Sequence, residues 1–232
     1  RIWFLQKLHE GGQVYVIPFA ARLRGPVDAV ALQKALTLLE ERHDALRLRV
    51  ELDAPEQSLA PVGGLRLECY DTPYTNDIYL GMTMPLGSEM PLVRVALYPQ
   101  LDGSHVLLFC FHHIIFDGWS GEIFTRELNE AYAAVLQGVA PQWRPLELDF
   151  ASYALWDSQR EPTVLAQVRN DLVPLPELLR LPLDFPRPAV QRFEGAVLAF
   201  DLGLERSLAL KDWALHAGVT VFPVLLALLD AF

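Results

Sequence analysis

The chain has 232 residues, 52% of them hydrophobic, and a formal net charge of −10. Length and apolar content of this order suffice for one large or two smaller packed lobes. The negative balance argues against nucleic acid and against an anionic membrane surface as partners, and no uncharged apolar run approaches the roughly 18 residues a membrane span needs.

Cys69 and Cys110 lie in strand-like runs and make no disulfide framework, which points to a reducing compartment, the cytoplasm. No signal-peptide pattern is visible. The chain opens on Arg1-Ile2-Trp3 without a start signal and closes on an apolar run without a cap, so it is expected to be part of a longer polypeptide.

In chain order, Gln13 to Arg24 reads as a strand, with Pro18 tolerable near a sheet edge. Gly25-Pro26 makes a turn, and Asp28 caps a helix whose Leu32, Leu36 and Leu39 form an inward stripe. That helix ends near Arg42-His43. Alternation follows, with Leu46, Leu48 and Val50 on one side and Arg47 and Arg49 on the other. Residues Asp53 to Gly64 are loop-like, Leu65 to Tyr70 a short strand, and Thr72 to Glu89 irregular.

Two apolar runs, Pro91 to Tyr98 and His105 onward, flank Asp102-Gly103, which is a hairpin pattern. The second run is rich in β-branched and aromatic residues and ends on His112-His113. Ser120 is read as the cap of a helix carrying Phe124, Leu128, Tyr132 and Leu136, stopped by Gly138. Imidazoles at a strand end, a glycine at the turn and a helix start behind them make a corner suited to catalysis. Beyond it, Asp149 to Gln159 reads as a short helix whose Tyr153 and Trp156 are assigned to core packing. Prolines recur from Glu161 to Pro188, and Leu181 to Pro188 is read as extended. Phe193 to Leu202 is read as a strand, and two helices follow, Leu204 to Ala217 and Thr220 to Phe232. His9, His105 and His216 sit in contexts that suggest no chemistry.

The segment His112-His113-Ile114-Ile115-Phe116-Asp117-Gly118, extended by Trp119-Ser120, resembles the HHxxxDG motif of nonribosomal peptide synthetase condensation domains, members of the chloramphenicol-acetyltransferase-like superfamily. Trp3-Phe4-Leu5 is similar to the tail of the family's first motif, and Arg42-His43-Asp44-Ala45-Leu46-Arg47 to its Arg-His-Glu-x-Leu-Arg segment. Phe150 to Trp156 resembles its fourth motif, with Ser152 where an acid is usual, and Asp184-Phe185-Pro186-Arg187-Pro188 its Asp-x-Pro-Arg-Pro. The family's later motifs have no counterpart.

This resemblance implies an α/β, two-lobed, chloramphenicol-acetyltransferase-like sandwich of mixed sheets flanked by helices, with the active site at the lobe junction. Residues 1–170 would form the first lobe, and 171–232 the crossing segment and the beginning of an incomplete second lobe. It implies amide-bond formation between an upstream acyl or peptidyl thioester and the amine of a downstream aminoacyl thioester. Both would ride on carrier proteins as phosphopantetheine thioesters, beside an adenylation domain, with no cofactor bound directly. An epimerization domain shares the motif, but Trp119-Ser120-Gly121 favours condensation. A heterocyclizing domain would replace both histidines by aspartates. A stand-alone acyltransferase using coenzyme A or a carrier thioester, and a non-catalytic docking or gating module, are the other readings.

An α-amino group titrates near pH 8, so a useful fraction is already neutral at pH 7. The step that needs help is removal of a proton from the nitrogen after attack, for which an imidazole is well matched. His113 is assigned this task, as the resemblance also implies. Adjacent strand residues face opposite ways, so His112 is expected to face inward and be hydrogen-bonded. Asp117 is expected to hold the loop through an ion pair, with Arg47 the first candidate partner and Arg42 the second. Gly118 would permit a tight turn and offer an N–H to the oxyanion, while Trp119 and Ser120 are candidates for the channel wall. No metal is expected, because adjacent strand histidines diverge and zinc spacing patterns are missing.

Overall fold

A computed structural model describes residues 2–8, 14–54, 56–80, 82–87, 91–175, 177, 183–189, 193 and 195–231. Arg1, His9, Gln13, Glu89, Leu181, Pro182 and Phe232, which figure above, lie outside the described residues. The chain forms two compact units, Arg1–Arg180 and Leu181–Phe232.

The first unit runs α1 (Ile2–Leu8), β1 (Val16–Leu23), α2 (Ala29–Arg42), a 3₁₀ turn (Asp44–Arg47), β2 (Leu48–Val50), β3 (Gln57–Leu59), β4 (Leu67–Cys69), α3 (Asp77–Leu80), β5 (Val93–Pro99), β6 (His105–His112), α4 (Gly118–Leu136) and α5 (Phe150–Asp171). Its main sheet has the order β1-β6-β5-β4. The β1–β6 and β5–β6 pairs are antiparallel and β4–β5 is parallel, so the sheet is mixed. Pro18 is tolerated because β1 is an edge strand. The β5–β6 hairpin closes where Gly103 takes φ +79° and Asp102 Oδ1 accepts from the Ser104 N–H and hydroxyl.

β6 reads as an unbroken apolar run because both of its faces are covered. Leu107, Phe109 and Phe111 pack with Leu32, Leu36 and Leu39 of α2 and with Phe124 and Leu128 of α4. Val106, Leu108 and Cys110 pack on the other side with Met82, Met84 and Tyr98. Each large side chain buried this way contributes roughly 1.5–3 kcal/mol. α2 begins where Asp28 Oδ1 accepts from the N–H groups of Val30 and Ala31, both at 2.9 Å. The Asp28 N–H in turn reaches the Tyr132 hydroxyl at 2.9 Å and ties the start of α2 to α4.

Several sequence expectations need correction here. Residues 44–47 form a 3₁₀ turn, so Arg47 folds back to donate to the carbonyls of Glu40 and Ala60 instead of facing outward. The loop after β2 contains β3, paired antiparallel with β2. The helix begun by Asp149 continues through Pro162 to Asp171; one backbone bond is lost there, but Gln159, Arg160, Leu165 and Ala166 around it favour helix. Phe150 and Ala154 make its inward side, which leaves Tyr153 and Trp156 half-exposed, not core.

In the second unit, α6 (Gly203–His216) and α7 (Val221–Ala231) meet across Gly218, whose φ of +69° ends the first helix. Ala214 of α6 and Val224 of α7 are buried. Residues 195–202 are not the strand that the sequence suggests for 193–202: no neighbouring backbone pairs with them among the described residues, and Val197, Leu198 and Phe200 are exposed. No single helix among the described residues is long and apolar enough to cross a membrane.

Candidate active site at the end of strand β6

The backbone at the end of β6 is tied on both sides. The His112 N–H donates to Leu92 O at 2.8 Å, and the His113 N–H to Tyr15 O at 2.7 Å. The chain then turns, with the Ile115 N–H on His112 O at 3.1 Å, and enters α4. The two imidazoles diverge, as pleat geometry requires.

His112 is wholly buried. Its Nδ1 accepts the Ile114 N–H at 3.0 Å, so Nε2 carries the proton and donates to Gln6 Oε1 at 2.6 Å. Gln6 Nε2 passes the chain on to Met84 O at 3.2 Å. Burial, aided by the neighbouring His113, pushes the His112 pKa down to about 4. This ring is neutral, fixed in one tautomer and structural.

His113 is exposed and lines a cavity of about 650 Å³. Its ring makes no hydrogen bond among the described residues. Ile17 and Phe19 of β1, with Phe111, Phe116 and Phe124, form the apolar walls. These rings hold one another: Phe116 stacks on Phe111 at 3.6 Å between centroids, and Phe124 meets Phe111 edge-on at 5.1 Å. Asp117, Gly118, Glu122, Arg126 and Asn129 line the cavity from the α4 side.

Asp117, not Ser120, is the cap of α4. Its Oδ1 accepts from the Ser120 N–H at 2.9 Å and the Ser120 hydroxyl at 2.7 Å. The backbone hydrogen bond from Ser120, then the hydroxyl, hold the Asp117 carboxyl below the usual range, and the nearby His113 adds to this. Neither arginine proposed as its partner pairs with it. Arg47 pairs with Asp44 on its own turn. Arg42 Nε pairs with Glu127 at 2.9 Å and lies over the Trp143 ring. Arg47 finds its carboxylate on its own turn and Arg42 finds Glu127 on the facing α4, and the capping interaction already satisfies Asp117.

Gly118 is the first residue of α4 and lines the cavity, but its φ is not left-handed, so no tight turn demands it. A side chain there would meet open space. Trp119 is 77% exposed and does not line this cavity. Ser120 lines a smaller cavity of about 120 Å³ with His43, Leu46 and Phe124.

Three supporting residues escaped the sequence. Gln6 orients His112. Glu127, 5% exposed, joins α4 to α2 by accepting from Arg42 and by contact with His43 Nε2 at 2.6 Å. Burial pushes its carboxyl up, but the hydrogen bonds of Arg42 and His43 outweigh this and hold it low. Glu40, also buried, accepts from the N–H groups of Gly63, Gly64 and Leu65. Both carboxylates sit at helical spacing on an apolar stripe, Glu40 four residues after Leu36 and Glu127 three after Phe124. That placement was the available signal.

Fold and site together define an α/β domain of the chloramphenicol-acetyltransferase-like kind, with a histidine-lined cavity at a strand end. The Condensation domain family matches residues 1–232, and the chain belongs to that family. It is 37% identical over 246 residues to "Probable non-canonical nonribosomal peptide synthetase (NRPS) CymA" of Salinispora arenicola (strain CNS-205), an alignment covering 100% of this chain and 3% of that protein. With the malpinin synthetase of Mortierella alpina it shares 35% identity over 248 residues, covering 98% of this chain and 3% of that synthetase. Among solved structures, the X-domain in its complex with OxyB from teicoplanin biosynthesis superposes with a TM-score of 0.72 at 29% identity, covering 94% of this chain and 51% of that one. The chain thus spans 3% of the length of each of these two synthetases and about half of the X-domain chain.

Proposed function

We propose that this chain carries the amide-forming centre of a condensation domain. The amine of a downstream aminoacyl thioester attacks the carbonyl carbon of an upstream acyl or peptidyl thioester. A C–N bond forms, and the nitrogen becomes cationic as the carbonyl oxygen becomes anionic. The neutral His113 imidazole takes the surplus proton from nitrogen. Collapse of the oxyanion then breaks the C–S bond, and the thiolate recovers a proton from the imidazolium. Such proton transfer contributes about 10²–10⁴-fold. The Gly118 N–H, at the first position of α4, has no intrahelical acceptor and a favourable dipole for the oxyanion, whereas the Ser120 N–H is taken by Asp117.

The observation that supports this best is the division of labour between adjacent imidazoles, His112 locked by Gln6 and His113 lining a ligand-sized cavity. The reading requires carrier proteins bearing phosphopantetheine thioesters on both sides and a neighbouring adenylation domain, in the cytoplasm. Its test is the intact synthetase containing His113→Ala, with both carriers loaded, assayed for carrier-bound dipeptide by mass spectrometry. A loss of 10²-fold or more supports the role; a near-native rate removes His113 from the chemistry.

A second reading, a docking module that binds partner proteins without chemistry, is favoured by the likeness to an X-domain captured in complex with OxyB. Wild-type protein that binds loaded carriers and yields no amide product would favour it.

A further inference from the structure

We infer that Gln6 is a positioning residue for amide formation, acting through His112 on the backbone that aims His113; this rests on the amide-forming reading above. A catalytic base is usually oriented by a partner on its own ring. The His113 ring makes no hydrogen bond among the described residues, so its aim depends on its main chain. Both peptide groups beside it are fixed. The His113 N–H donates to Tyr15 O at 2.7 Å, and the Ile114 N–H, in the peptide that follows, donates to His112 Nδ1 at 3.0 Å.

The second of these bonds ends a directed chain. Gln6 Nε2 donates to Met84 O at 3.2 Å, which turns Oε1 toward His112 Nε2, 2.6 Å away. Nε2 therefore carries the ring proton, and Nδ1 keeps the lone pair that takes the Ile114 N–H. Reversing the amide would set Oε1 against Met84 O. It would also force the ring proton onto Nδ1, facing the Ile114 N–H, so that like opposes like at both ends. Gln6 is 7% exposed and His112 wholly buried, so a bond lost here leaves a buried polar group unpaired. Without the amide the ring is free to take the other tautomer, which releases the Ile114 N–H and loosens the peptide after His113. A misplacement of about 1 Å at a reacting group can cost about 10²-fold.

The test uses the intact synthetase with both carriers loaded and reads single-turnover amide formation near pH 8. Each rate is referred to the fraction of protein whose domain resists limited proteolysis. Gln6→Leu should slow the reaction at least tenfold. Gln6→Met, close to glutamine in length, takes its place if the leucine variant does not fold. Gln6→Glu keeps an acceptor for the His112 Nε2–H and should be at least fivefold faster than Gln6→Leu. A purely structural role predicts the reverse order, because a buried carboxylate costs more than a buried leucine. In a His112→Asn background, Gln6→Leu should add less than a twofold further loss, since the path through the imidazole is already cut. A near-native rate in the apolar variant, a Gln6→Glu rate no better than Gln6→Leu, or a full tenfold loss within His112→Asn would each overturn the inference. If His113→Ala loses 10²-fold while the Gln6 variants stay native, the positioning role alone falls. If the wild-type protein gives no amide, the amide-forming reading falls and takes the inference with it.

Discussion

The His112 imidazole and the Gln6 amide, 106 residues apart in the chain, meet at 2.6 Å in the protein interior. This contact fastens α1 to the end of β6, and the Ile114 N–H on Nδ1 determines that Nε2 carries the proton. It has a pH signature. The His112 pKa is about 4 in the fold against an ordinary 6.5, so between those values the unfolded chain binds the extra proton. Stability is complete above pH 6.5 and falls as pH drops toward 4, by up to about 3 kcal/mol. Melting temperatures measured from pH 7 to pH 5 should decline, and His112→Asn should flatten that decline.

Asp117 acts as a helix cap, so its substitution should behave as the loss of a cap and not of a buried ion pair. Asp117→Ala should destabilise by about 1 kcal/mol, and Asp117→Asn, a good capping residue, by much less. Thermal unfolding distinguishes the two. For a chain of this size the alanine variant should melt about 2–4 °C lower.

Glu127 is the buried carboxylate to which Arg42 and His43 converge. Glu127→Ala leaves the Arg42 cation partly buried without its partner and should cost about 3–5 kcal/mol. A double-mutant cycle between Arg42 and Glu127 should give a coupling above about 0.5 kcal/mol. The same cycle between Arg47 and Asp117 should give none. A large Arg47–Asp117 coupling would restore the pairing that the structure overturns.

The two thiols should react very differently. Cys69 is exposed, whereas Cys110 is buried in β6 and burial pushes its pKa up to about 11. Titration of the native protein with an aromatic disulfide reagent at pH 8 should modify one thiol quickly. The second should react only on unfolding. Rapid reaction of both would mean that β6 is not packed on both faces.

Local elements are legible in the sequence wherever neighbouring residues decide them. Asp28 and its leucine stripe announce α2, Asp102-Gly103 announces the β5–β6 hairpin, and strand alternation sends His112 and His113 to opposite sides. Asp117 and Ser120 are both good capping residues three positions apart, which is why the sequence points to the wrong one. Only the backbone path through Ile115 and Phe116 chooses between them. The full extent of α5 is hidden because Pro162 reads as a stop, although it is a weaker signal than the helix formers on either side of it.

Partner choice is beyond the sequence. Arg42 and Arg47 are both candidates for Asp117 by charge, and charge alone does not say which carboxylate each will take. Desolvation and geometry decide that once α2 lies on α4, bringing Glu127 to Arg42 across 85 positions and leaving Arg47 to Asp44. Likewise, hydrophobic periodicity tells that β6 is buried, but only the packed aromatic rings and the placement of β1 beside β6 leave a cavity for His113 to line. Propensity and alternation act over a few residues and are written in them; the pairing of charges and the shape of empty space depend on contacts between elements far apart in the chain.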